Sequence, residues 1–172
     1  MTKRRTLSIT LALALATLFL LQSSFAAARG GPKILEFDTM VGVPAAFGGT
    51  TNAALIRNVP GGGLPWTLTS AKGELSTSGK LEITVTGLVL AAGANTGNNP
   101  IATFRGLVSC LTTSATVVNV STGDFPATTG PATAGGGNAK IEATLDLSNP
   151  CIAPIVFVTS SGGSWFSATG GG

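Results

Sequence analysis

The sequence predicts an all-β chain: a two-sheet antiparallel sandwich of about eight short strands with one disulfide. Three observations carry this. Residues 80–86 and 139–147 alternate apolar and polar side chains, the period-two pattern of strands with one dry and one wet face. Turn signals recur at short intervals after residue 29, and no segment there keeps helical i, i+3, i+4 spacing over three turns. Two cysteines, Cys110 and Cys151, stand in a chain that opens with an export signal, and in an oxidising compartment they are expected to pair.

The signal occupies residues 1–28. Lys3, Arg4 and Arg5 precede an apolar run over residues 7–21, and Ala26-Ala27-Ala28 supplies small residues for cleavage. The run is shorter than the ~20 residues a spanning helix needs, so cleavage rather than anchoring is expected. The protein is then secreted, periplasmic or cell-surface, with no membrane span after cleavage and a single sandwich domain over residues 29–172. Three of the ten basic residues leave with the signal, and the seven that remain balance seven acids. A neutral chain has no electrostatic drive toward nucleic acid, and it lacks the repulsion that opposes self-association.

In chain order, residues 34–43 form a first strand ended by Pro44, and residues 53–59 a second. Pro60-Gly61-Gly62-Gly63 is a loop, without the Lys-Ser/Thr or following helix of a phosphate cradle. Residues 64–70 carry Trp66. Residues 73–76 and 80–90 make a hairpin around Thr77-Ser78-Gly79, and a bulge at Gly87 explains the loss of alternation beyond it. Residues 91–100 are an exposed loop. The strand at 101–111 places Phe104, Val108 and Cys110 on one face. Residues 115–121 are a further strand, and 123–137 a long loop.

The last part reads as two strands, 139–147 and 151–159, joined at Ser148-Asn149-Pro150, then a closing segment at 164–169 with Trp165 and Phe166. The run at 152–158 is apolar on both faces, which marks a central strand or one whose outer face is covered. Pro154 removes a ladder donor and is expected at a bulge or at the edge-like first part. Ile155 and Phe157 are expected to fill the core between the sheets.

The chain contains no His and no Tyr. That rules out Ser-His-Asp and Cys-His nucleophile systems and His-based zinc sites, and no cofactor or metal is implied. Seven acids remain: Glu36, Asp38, Glu74, Glu82, Asp124, Glu142 and Asp146. A carboxylate-based hydrolase would need two of them across a cleft. Their positions suit solvated strand faces better, with Glu82, Glu142 and Lys140 placed for cross-strand ion pairs. A calcium site on Asp38 or Asp124 lacks the spacing of a calcium loop. Trp66 and Trp165 are the candidate ligand platform, able to stack on sugar rings if exposed. The alternative is burial, with Pro65-Trp66 and Trp165-Phe166 packed on each other. Asn119-Val120-Ser121 is a glycosylation sequon on an expected strand.

The stretch from Val59 to Trp66 and the runs GKLEITVTGLVL, FRGLVSCL, NAKIEATLDL and NPCIAPIVFV resemble a group of small exported bacterial proteins of unknown function, over most of residues 38–170. The resemblance implies a bacterial exported product and no activity. The expectation is therefore a non-catalytic exported β-sandwich with a binding or envelope role and a carbohydrate or protein partner, its function seated in the loops at 60–66, 91–100 and 123–137. Two alternatives stand beside it. One is a subunit of an extracellular assembly, adding residues 34–43 or the C-terminal strand to a neighbour's sheet. The other is a carboxylate-based carbohydrate-active enzyme.

Overall fold

A computed structural model describes residues 30–47 and 55–170. The expected export signal at 1–28 and the first part of the strand expected at 53–59 lie outside the described residues. From Gly31 onward the chain forms one compact unit. In order its strands are β1 (Lys33–Phe37), β2 (Val41–Gly42), β3 (Trp66–Thr67), β4 (Ser70–Ser76), β5 (Lys80–Thr86), β6 (Val89–Leu90) and β7 (Asn98–Asn99). They continue as β8 (Thr103–Leu111), β9 (Val117–Ser121), β10 (Phe125–Pro126), β11 (Gly130–Pro131), β12 (Ala139–Thr144), β13 (Ile152–Thr159) and β14 (Trp165–Ala168). Eight of these have four residues or more, and all pairings are antiparallel.

One sheet has the order β1-β4-β5-β12, the other β10-β8-β13-β14-β2, with β9 also against β8. Alternation decides what lies between them. Leu75, Leu81, Ile83, Val85 and Ile141 from the first sheet are buried against Phe104, Val108, Val156 and Val158 from the second. Gly106 faces Leu81, Ile83 and Ile141 directly, which fixes the even-numbered residues of β8 as the inner set. On β13 the register Val156↔Val108 and Val158↔Gly106 makes the valines inner. Phe157 opposes Leu107 on the outer side, so the expectation that Ile155 and Phe157 fill the space between the sheets is corrected. The cause is the register irregularity between Ile152 and Ile155, where Ala153 takes φ 46° beside Pro154. This is the bulge expected at that proline.

Two expected strands take another form. Residues 34–43 split at Asp38-Thr39-Met40, so that β1 joins the first sheet and β2 the second. Residues 56–59 make a tight turn closed by an isolated bridge between Ile56 and Val59, because Arg57 and Asn58 both adopt positive φ. At Gly87 the chain turns with φ 63° and leaves the first sheet, and Val89–Leu90 pairs with Trp66–Thr67 instead. The change of phase is thus a change of partner, not a bulge. The β4–β5 hairpin forms as expected: Gly79 donates to Ser76 O at 3.0 Å and takes φ 79°, the three-residue turn that needs a left-handed last position.

The outer face of the second sheet is covered. Phe47 and Arg57, from the described parts of the connection between β2 and β3, lie over it: the Phe47 ring centroid is 5.8 Å from Trp165, and Arg57 donates to Ser109 O at 3.0 Å. Gly61 and Gly62, expected in a loose loop, are buried and lie along β14. Gly62 N donates to Trp165 O and Trp165 N to Pro60 O, both at 2.8 Å. A Cβ at Gly62 would sit 2.9 Å from the Phe166 ring, so this approach needs glycine. Cys110 and Cys151 form the disulfide, joining β8 to the start of β13.

Candidate functional site

The strongest concentration of polar chemistry lies on the outer face of the four-stranded sheet. The register places Glu36 opposite Glu74, Glu74 opposite Glu82 and Glu82 opposite Glu142. These four glutamates form one row across all four strands, with directly opposed Cβ atoms roughly 4.5–5.5 Å apart. Like charges in direct opposition repel, and lysines offset this. Lys33 reaches Glu36 at 3.1 Å and Glu74 at 2.7 Å, Lys80 pairs with Glu82, and Lys140 reaches Glu142 at 2.6 Å. The ion pairs of Lys80 and Lys140 run along a strand. The cross-strand partner of Lys140 is Thr84 and that of Glu142 is Glu82, which corrects the expected Glu82–Lys140–Glu142 cross-strand pairing. Lys72 has no ion pair among the described residues and lines a shallow groove with Glu36, Asp38, Glu74 and Lys140.

A hydrogen bond from Lys80, reinforced by its charge, keeps the Glu82 carboxyl below its ordinary value. Lys33 is raised by hydrogen bonds to Glu74 and Glu36, Lys80 by Glu82, and Lys140 by Glu142. The face is a set of solvent-exposed charges, most of them in ion pairs.

Trp66 and Trp165 do not form an exposed platform. They are 6 % and 2 % exposed and belong to the core. Trp66 stacks on Phe166 with centroids 4.1 Å apart, so the segments at 65–66 and 165–166 pack together, and Trp165 sits 6.0 Å from Phe157 on the covered side. The loops at 91–100 and 123–137 are likewise knitted together. β7 pairs with β11, and buried Asn99 donates to Ile101 O and Thr128 O at 2.7 and 2.8 Å. Asp124, weighed as a calcium ligand, is committed to Arg105 and accepts from Ser161 at 2.8 Å. Those hydrogen bonds, Arg105 first, hold its carboxyl below the usual range.

No family model, curated protein or solved structure matches the chain. The glutamate row was missed in the sequence although part of it was readable. Glu74 and Glu82 are equidistant from Ser78, so the expected hairpin already set them opposite each other. Glu36 and Glu142 arrive from strands whose order in the sheet no local pattern shows.

Proposed function

We propose that this chain is an exported, non-catalytic β-sandwich module with a binding or cell-envelope role, working through the charged face of the four-stranded sheet. One observation carries the reading. Every lysine after residue 28, and Glu36, Asp38, Glu74, Glu82 and Glu142, lie on or border that face. The rest of the surface is dominated by Ser, Thr, Gly and Ala. Charge gathered on one side of a nearly neutral molecule gives that side a defined orientation toward a charged partner. The carboxylates suit recognition better than catalysis. A general acid needs a raised pKa in a water-excluding site, whereas Glu82 is held down by Lys80 on an open sheet.

The test uses purified residues 29–172 and the host's isolated cell envelope. Co-sedimentation is expected at low salt, with release at about 1 M salt, where the screening length is about 3 Å. The double substitution Lys72→Glu with Lys140→Glu should weaken it. Absence of co-sedimentation, or binding indifferent to both salt and substitution, overturns the proposal. Turnover of a polysaccharide that Glu82→Gln abolishes would replace it with the carboxylate-based enzyme.

A further inference from the structure

We infer that β9 is the edge through which two copies of this chain pair, antiparallel and centred on Asn119. The edge strands of the two sheets differ in how they are defended against further strands, and β10, on the same side of β8 as β9, is two residues long and contains Pro126. β1 carries Lys33 and Glu36 and a register irregularity between Lys33 and Leu35. β12 carries Lys140 and Glu142 and is met at Ala139 by Ala127. β2 is two residues long. Charges, irregular register and shortness are the devices that keep edges from pairing. β9 has none of them. It is five residues long, and residues 112–122 contain no charged residue and no proline. Among the described residues it pairs only with β8.

The occupant follows from the sequence of the strand. Val117-Val118-Asn119-Val120-Ser121 is nearly palindromic in character about Asn119. In a two-fold antiparallel pairing, Val118 faces the partner's Val120, Val117 faces the partner's Ser121, and the two Asn119 residues meet at the axis. Val118 and Val120 oppose Cys110 and Val108, on the inner side, and both are only half buried. The pairing would prolong the existing inner row Val156–Val108–Val120 by a valine from the second copy. A two-fold contact puts one surface against itself, so it needs a patch without net charge, and this edge is uncharged. β14, the C-terminal strand earlier weighed for strand addition, is already paired on both sides by β13 and β2 and offers no edge.

The inference is independent of what the charged face binds, since that face belongs to the other sheet. Sedimentation equilibrium of residues 29–172 from about 1 μM to about 1 mM, the range in which a short edge would associate, should show a reversible monomer–dimer equilibrium. Val117→Lys with Ser121→Lys sets lysines in two facing pairs and should leave monomer throughout. Mixing that variant with Val117→Glu plus Ser121→Glu should restore a one-to-one dimer, which a folding defect in either variant would not do. Wild type that stays monomeric, a lysine variant that still dimerises, or a mixture that fails to pair each overturns the inference.

Discussion

The two sheets share one inner core but treat their outer faces in opposite ways. On the first sheet the outer residues are Lys, Glu and Thr, and each central strand alternates. On the second, Leu107, Ser109, Phe157, Thr159 and Trp165 are buried on the outer side as well, where Phe47 and Arg57 pack. A strand wet on one face alternates, and a strand covered on both reads as a continuous apolar run. The contrast between LEITVT in β5 and IVFV in β13 therefore records which side of the sandwich carries a third layer.

Substitutions on the two outer faces should separate widely. Trp165→Ala removes the ring that lies between Phe47 and Phe157, and it should cost about 3–5 kcal/mol in denaturant unfolding. A near-wild-type midpoint would mean that the covering layer contributes little. Replacing Cys110 and Cys151 by Ala releases a tie across 41 positions and should cost about 2–4 kcal/mol, seen as a drop in unfolding midpoint that reducing agent reproduces in the native chain. Gly62→Ala drives a methyl group toward Phe166 and Trp66 Nε1, for about 1–3 kcal/mol. Gly63→Ala, with open space around it, should cost markedly less.

The smallest effects belong to the charged face. Glu82 has a folded pKa below its unfolded one, so its stabilisation is complete above the unfolded value of about 4.3 and is lost as pH falls through the depressed folded value. Lys80 has the opposite sign: its contribution is complete below about 10.4 and is lost as pH rises through its raised value. Both are exposed, so the change in stability should be slight. The sharper measurement is a carboxyl NMR titration, in which the Glu82 midpoint moves up toward the ordinary range in Lys80→Met. An unmoved midpoint would remove Lys80 as the cause.

Much of the fold was legible wherever one local rule decided it. Alternation found β5 and β12, the Thr77-Ser78-Gly79 turn found the hairpin, and the two cysteines found their bond. Two failures were local, the bulge at Ala153-Pro154 that turned Phe157 outward and the positive φ of Arg57 and Asn58; the others needed knowledge of a distant partner. Residues 34–43 read as one strand because nothing local shows that the chain changes sheets at Met40. Gly61 and Gly62 read as a loose loop because the ring they lie against is about a hundred positions away. Exposure of Trp66 and Trp165 depends on those same distant contacts. For the candidate site, strand order alone assembles the glutamate row.

The placement of β14 also sets an order of events. It lies between β13 and β2, and it holds Gly61 and Gly62 by its backbone, so β14 completes contacts begun about a hundred or more positions earlier. Until residues 165–168 are in place, β2 lacks its partner in the second sheet. Closure across so long a separation is slow relative to local pairing. The second sheet therefore closes later than the β4–β5 hairpin of the first, whose two strands are joined by three residues.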